Sequence, residues 1–345
     1  MVYTVEQADL VKDRDVLSAL WQRNYGDVDT GRFEWLYYKS DANPMCFVIK
    51  TEEGDVVGMN GVLTRNIEAF GDAITIAHAI DFLIDKKHRT AGPAIQMQRF
   101  LIKELAEQNI RLVYGFPMPA AQLVLRRLGY QALGDYQRWV KPVSGGFILA
   151  KYLPGLLSRI LSPLVTLALQ MVSSDLFYRK SAGMKVDMNA VIDERFDELW
   201  QKSNCKPSVI GERGRHFVAW RFSDFHKTKY KVYTLNNQKD DLKGYIIYQV
   251  NGEVASIHDL FAIDMDNYHN LLRSFTEDMR SFKVSHITMF ILSAENIREA
   301  LSHCGFMKRP EIAKVYVRIE QSLLEEYPGI TDANAWYVTN VDKDV

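Results

Sequence analysis

The feature that most restricts how this sequence can fold is that its second half restates the first. Gly31 to Tyr38 carries an aromatic–Trp–aromatic core, and Gly214 to Phe222 carries another. Three apolar runs, 46–50, 56–64 and 73–85, read as successive antiparallel strands, turned at Glu52-Glu53-Gly54-Asp55 and at Gly71-Asp72. Runs 230–235, 244–250 and 254–263 repeat the trio, with Asn251-Gly252 as a hairpin signal. Ala79-Ile80-Asp81-Phe82-Leu83 is echoed by Ile257-His258-Asp259-Leu260-Phe261. A long helix, a late strand (112–116; 287–292) and a short helix follow each trio, the short helices ending Leu128-Gly129-Tyr130 and Cys304-Gly305-Phe306. Corresponding points lie about 176 to 185 residues apart, which is the spacing of a duplication and not of a solenoid. The expected fold class is α+β: two tandem domains, each a mostly antiparallel twisted sheet flanked by helices. The expected bounds are 1–142, a helical connector at 143–185, and 186–345. Residues 5–25, before the first trio, read as a helix.

Composition narrows the partners. Hydrophobic content of 47% with 25% charge is that of a globular chain. The net charge of −1 supplies no global field to draw in nucleic acid or an anionic surface. Cys46, Cys205 and Cys304 form no CxxC pair, no metal-ligand spacing and no even disulfide framework, a pattern that suits a reducing cytoplasm. The N-terminus has no apolar signal core. The greasiest stretch, 147–172, is interrupted by Lys151, Pro154, Arg159 and Pro163. Its cleanest part, 160–174, falls short of the ~20 residues of a membrane span and contains a proline. Two expectations remain for it, a connector packed against both domains or an amphipathic helix in a membrane interface.

The stretch 79–100 carries the chemistry. An apolar strand bearing one acid, Asp81, runs into a basic turn, Asp85 to Arg89, and then into Thr90-Ala91-Gly92-Pro93-Ala94 and a helix. Pro93 fits a first helical turn, where its missing N–H would have had no partner. Unpaired N–H groups and the helix dipole facing one spot make an anion site. The plainer alternative is an ordinary strand–turn–helix with a solvated turn. Neither GxGxxG nor GxxxxGK followed by Ser or Thr is present, so a dinucleotide fold and a nucleoside triphosphatase are not indicated. The second copy reads Ala262-Ile263-Asp264-Met265-Asp266-Asn267-Tyr268 here, with no glycine and no base. Only the first half keeps the anion site.

Arg89-x-x-Gly92-x-Ala94 resembles the pyrophosphate turn of the GNAT superfamily of acyl-CoA-dependent N-acyltransferases, Arg or Gln-x-x-Gly-x-Gly or Ala. The preceding strand, the late strand and the short helix support the resemblance over residues 1 to about 140, and 190–320 look like a degenerate second copy. The resemblance implies that coenzyme A, as acyl-CoA co-substrate, lies on the amides of Thr90, Ala91, Gly92 and Ala94 beside Arg89 and Lys87. Its pantetheine arm would run along the strand edge at Leu83 and Ile84. It implies a general base, with Asp81 the first candidate and His78 the second. Their spacing of three places them on opposite faces of a regular strand unless a bulge intervenes. His258 and Asp259 are the matching positions in copy two. Tyr114, Phe116, Gln122, His258 and Arg221 are the implied substrate contacts, whereas the clustered aromatics around Trp35 and Trp220 read as core. Many relatives place a thiolate-protonating Tyr where this chain has Leu125 and Leu301. The layout is similar to tandem members that N-acylate a nucleotide-linked amino sugar, such as a dTDP-3-amino-3,6-dideoxyhexose, for surface polysaccharide. The alternatives are an amino acid, peptide or lipid amine as acceptor, or a non-catalytic acyl-CoA-binding module. No metal, nucleic acid or integral membrane span is implied, and a homodimer is left open.

Overall fold

A computed structural model of the chain describes residues 2–26, 30–40, 42–173, 175–178, 183–222 and 229–343. In chain order the first half gives β1 (Tyr3–Gln7), α1 (Arg14–Tyr25), α2 (Thr30–Tyr37), β2 (Met45–Thr51), β3 (Val56–Ala69) and β4 (Asp72–Ile84). It continues with α3 (Ala91–Glu107), β5 (Leu112–Gly115), α4 (Pro119–Arg126) and β6 (Gln131–Pro142). Then come α5 (Gly145–Leu149), α6 (Gly155–Val172), β7 (Lys185–Asp187), α7 (Arg195–Lys202), β8 (Val209–Gly211) and α8 (Arg215–Arg221). The second half proceeds through β9 (Lys231–Asn236), β10 (Leu242–Asn251), β11 (Val254–Ala262), α9 (Met265–Ser281), β12 (His286–Ile291), α10 (Glu295–His303), β13 (Met307–Ile319) and α11 (Gln321–Glu326).

These elements form two compact units, and the division falls inside two strands. Unit 1 holds residues 1–134 and 314–332; unit 2 holds 135–313 and 333–343. In unit 1 the strand order is β1-β2-β3-β4-β5, completed by residues 316–319 of β13 antiparallel to β5 (Tyr316↔Gly115). In unit 2 residues 137–142 of β6 pair antiparallel with β12, followed by β11, β10, β9 and β7. The closing strand of each unit thus comes from the other half of the sequence. For that reason the units cut across the expected bounds of 1–142 and 186–345, and residues 143–185 fall within unit 2. Each unit contains a parallel pair joined by a long helix, β4 with β5 and β11 with β12, and in each the helix carries the chain across.

In unit 1 the core under α3 gathers Phe47, Val62, Leu101, Leu105, Val113 and Tyr316. In unit 2 it gathers Phe196, Tyr245, Leu271, Phe275, Ile287 and Leu301. Trp35 and Tyr37 are buried, as expected of core aromatics.

Two local expectations are corrected. Residues 5–25 are not one helix, because Tyr3–Gln7 pairs with β2 as an edge strand (Val5↔Ile49). The Asp9 carboxylate then accepts the amides of Val11 and Lys12, a side-chain turn that ends the extended stretch before α1. The apolar segment 155–172, expected as a connector packed against both domains, is a helix that is mostly exposed. Ser158 is the only buried residue of α6, and its leucines face outward.

Candidate acyl-carrier site in unit 1

The site starts from a defect in a strand. Along the β3–β4 ladder, Met59 pairs with Leu83 but Gly61 pairs with Ile80, so Asp81 and Phe82 together oppose Asn60. This is a β-bulge, and Asp81 takes a positive φ of 49°, a region that Asp tolerates better than most residues. Asn60 repairs the ladder, its amide donating to the Ile80 and Gly61 carbonyls at 2.8 and 2.9 Å. Gln98, reaching down from α3, donates to the Asn60 carbonyl oxygen. Gln98 is 1% exposed within an otherwise apolar helix face, which makes it part of the bulge and not of the solvent surface.

Asp81 is fully engaged. Arg32 Nη1 donates to Oδ1 and Tyr37 Oη to Oδ2, each at 2.9 Å. Burial first, then the nearby Asp81 charge, holds the Tyr37 hydroxyl well above its ordinary pKa, so it stays a donor. Gly61 leaves room for this contact, since a Cβ there would overlap the Tyr37 hydroxyl. A carboxylate in an apolar strand is costly unless paired or used, which makes Asp81 the first candidate for the base. Here it is paired, and its backbone conformation accounts for an acid at that position.

His78 lies on the other side of the matter. It pairs with Tyr114 on the final rung between β4 and β5, which follows Ala77↔Val113. The His78 ring stacks on Tyr114 at 4.4 Å and 10°, and Phe116 stands edge-on to both at 6.4 Å. Beyond this rung the strands part. Ala79 to Ile84 of β4, including Leu83 and Ile84, have no ladder partner on the β5 side among the described residues. A slot with one free strand edge can accept an extended amide chain through backbone hydrogen bonds.

The slot leads to the basic turn, which α1 clamps. Arg23 grips the Asp85 carboxylate through Nε and Nη2 (2.9 and 2.7 Å) and also donates to the Val56 carbonyl. Asn24 adds a further bond to Asp85. Burial opposes ionisation of Asp85, but these bonds from Arg23 and Asn24 win and leave its pKa lowered. Tyr3 Oη meets His88 Nδ1 at 3.0 Å. Arg89 Nε donates to the Ile84 carbonyl at 3.1 Å, which fixes the root of the side chain while the residue remains exposed.

At Thr90 the chain is extended (φ −117°, ψ 170°), and no side chain caps α3. Thr90, Ala91 and Gly92 are exposed, Pro93 and Ala94 are buried, and nothing lies within 4 Å of a Cβ built on Gly92. The first amides of a helix have no intrahelical partner. A diphosphate could therefore lie on them, with Arg89 alongside and Gly92 leaving the approach open. The residues present fit the pyrophosphate of a coenzyme A thioester, and Lys87 is exposed on the same turn.

The remaining sequence candidates are distributed differently. Gln122 on α4 donates to the Pro117 carbonyl (3.1 Å) and accepts from Tyr316 Oη (3.2 Å), and Arg126 also donates to that hydroxyl (2.7 Å). A tyrosine hydroxyl thus reaches α4 even though the helix has Leu125, since it comes from β13, nearly two hundred positions along the chain. No local signal could have found it. Arg32, Arg23, Asn24 and Asn60 were missed for the same reason.

His258 and Arg221 belong to unit 2. Arg221 is buried and donates to the carbonyls of Asn340, Val341 and Lys343, so it closes the C-terminal turn instead of standing ready for a substrate phosphate. His258 is the extra residue of a second bulge, between Ile247↔Asp259 and Tyr248↔Ile257. Burial, reinforced by the Arg221 charge, pushes its pKa down to about 4.

No protein-family profile and no curated protein matches the sequence. Solved structures do match the fold. A conserved protein of unknown function from Enterococcus faecalis, described as a probable N-acyltransferase, superposes with a TM-score of 0.71 at 12% identity, over 95% of this chain and 75% of that one. A GCN5-related N-acetyltransferase from Anabaena variabilis gives 0.65 at 15% identity, over 92% and 73%. N-myristoyltransferase of Saccharomyces cerevisiae, solved with bound myristoyl-CoA, gives 0.54 at 10% identity, over 92% and 82%. These likenesses establish the GNAT-like α+β fold expected from the duplicated pattern.

Proposed function

We propose that this protein is an acyl-CoA-dependent N-acyltransferase whose carrier site lies in unit 1. The observation that carries the proposal is the continuity of three features. The bulged β4 parts from β5 after His78, runs through Leu83 and Ile84, and ends at the exposed, uncapped start of α3 beside Arg89. The solved structures with this fold that are described as acyltransferases support it, as does the one holding an acyl-CoA.

Acyl-CoA supplies a thioester carbonyl that an amine can attack. The work of the chain is to bind and to orient. Amides of Ala91 and Gly92 with Arg89 hold the diphosphate end, since the Thr90 amide is already given to the His88 carbonyl at 2.7 Å and Ala94 lies within the first helical bond. A β4 backbone N–H at the parted edge is placed to donate to the carbonyl oxygen as charge develops. Alignment of the two reactants supplies much of the rate. His78, at the fork beside Tyr114 and Phe116, is the group placed to take the proton from the amine, and Asp81 holds the bulge that shapes the slot. With Leu125 in place of a tyrosine on α4, Tyr316 presents the nearest phenol to that helix.

In this reading the acceptor is the amine of a nucleotide-linked amino sugar, a choice supported by the tandem layout and weakened by the engagement of Arg221 with backbone carbonyls. The reaction is placed in the cytoplasm, in keeping with three free thiols, Cys46, Cys205 and Cys304. Calorimetric titration with acetyl-CoA tests the site: affinity for the intact protein and about a tenfold loss in Arg89→Ala are expected. Equal affinity in both would remove Arg89 from the site. Release of free thiol across a panel of amino-sugar nucleotides, amino acids, peptides and lipid amines then identifies the acceptor. Binding without release on every amine would mark a binding module instead.

A further inference from the structure

Helix α6 is amphipathic the wrong way round for a soluble protein. Its small and polar residues, Ser158, Ser162, Thr166 and Ser173 with its cap, face the body of unit 2. Leu156, Ile160, Leu164, Met171 and Val172 face outward, with exposures from 51% to 86%. An ordinary surface helix buries its apolar stripe.

The orientation is held by specific contacts within unit 2. Gly145 of α5 donates its amide to Thr166 Oγ1 at 2.7 Å, and a Cβ there would come within 2.8 Å of the Thr166 nitrogen. The Phe147 ring of α5 stacks on His286 at 4.1 Å. Past the end of α6, Asp175 is gripped by Lys141 (2.8 Å) and Arg280 (3.1 Å), all on the same unit. By length and composition alone α6 is long and apolar enough to cross a membrane. Held to unit 2 along its polar stripe, it is arranged as a helix that lies flat on a surface.

The charge on the segment itself is of one sign. From Val143 to Ser174 the sequence has no Asp or Glu but has exposed Lys151 and Arg159, and the next acid, Asp175, is spent on Lys141 and Arg280. Tyr152 and Phe177, 70% and 76% exposed, flank the two ends. An apolar face bordered by cations and aromatics matches the boundary between acyl chains and anionic headgroups. A second copy of the same face would offer no acid from this segment to pair with Lys151 and Arg159.

We propose that α6 docks this protein peripherally on an anionic lipid bilayer, its outward leucines entering the headgroup boundary. The proposal stands independently of the acyl-transfer reading. It is tested by flotation of the full chain with vesicles of phosphatidylcholine plus phosphatidylglycerol, against phosphatidylcholine alone, with gel filtration of the same sample. The protein is expected to float with the anionic vesicles, to float less with the neutral ones, and to be released by added salt. The double variant Ile160→Glu, Leu164→Glu is expected to lower the floated fraction about tenfold at an unchanged thermal midpoint, and Leu164→Met to retain it. The proposal is overturned if the intact chain stays in the aqueous layer with both vesicle types. It is equally overturned if, without lipid, the chain elutes as a dimer that the double glutamate variant converts to a monomer.

Discussion

In both units a long helix follows a bulged strand, yet α3 and α9 begin in opposite chemical states. At α9 the Asp264 carboxylate accepts the amide of Asn267 at 2.7 Å, so the anion at the helix start is part of the protein. At α3 the same position is Thr90, which makes no side-chain cap, and Arg89 and Gly92 flank it in the open. One copy caps its helix start with its own carboxylate, and the other leaves the start without a side-chain cap. The strand acids, by contrast, are treated alike. Asp81 is held by Arg32 and Tyr37. Asp259 is held by Tyr245 (2.8 Å), Thr339 (2.7 Å) and Arg213 (3.3 Å). An acid retained in the copy without an anion turn is there to support a bulge. Asp81 and His78 both stand as candidates for the base, Asp81 paired with Arg32 and Tyr37 and His78 stacked on Tyr114.

That contrast can be broken in several ways. The largest effect is expected from Asp259→Ala, which leaves Arg213, fully buried and also paired with Asp342 at 2.7 Å, short of one counter-charge. A loss of about 3–5 kcal/mol in denaturant unfolding is expected. A loss under ~1 kcal/mol, the range of exposed ion pairs, would mean the acid is not a strut. Next comes Thr90→Asp, which copies the α9 start into α3. Acetyl-CoA affinity, read by calorimetry, should fall about tenfold or more through repulsion, while thermal stability holds or rises. Unchanged affinity would place the diphosphate elsewhere. Asp264→Ala is the reciprocal change: a stability loss of about 1 kcal/mol with acetyl-CoA affinity untouched. A change in affinity there would mean that the second helix start also serves the carrier.

The last test is a pH dependence, spread over more than two pH units. The folded pKa of His258 is near 4, below the ~6.5 of an unfolded chain, so the unfolded state binds the extra proton. The stability linked to it is complete above about pH 6.5 and drains as the pH falls toward 4, with a slope below ~1.4 kcal/mol per pH unit. His258→Gln should flatten that part of the profile. An identical profile in the variant would assign the acid sensitivity to other groups.

Much of the site was legible because it is local. Arg89, Thr90, Gly92 and Pro93 lie within five positions, and a strand, a basic turn and a helix start are written in neighbouring residues. The bulge was foreseen as a condition for His78 and Asp81 but not located, because it depends on which residue of β3 faces which residue of β4. Asn60 and Gln98 look like stray polar residues in apolar runs until that register is known. Arg23 and Asn24 sit in what reads as an ordinary helix end, and only the fold brings them to Asp85.

The sequence by itself determined the duplication, the α+β class and the strand, basic turn and helix start at 79–94, since periodicity, turn residues and helix-start chemistry act between near neighbours. Tertiary structure alone decided that each unit closes on a strand from the other half, that Tyr316 reaches α4, that Asp81 is tied to Arg32, and that α6 turns its leucines outward. Those outcomes depend on packing between residues far apart in the chain, where a side chain's role follows from what it meets and not from what it is.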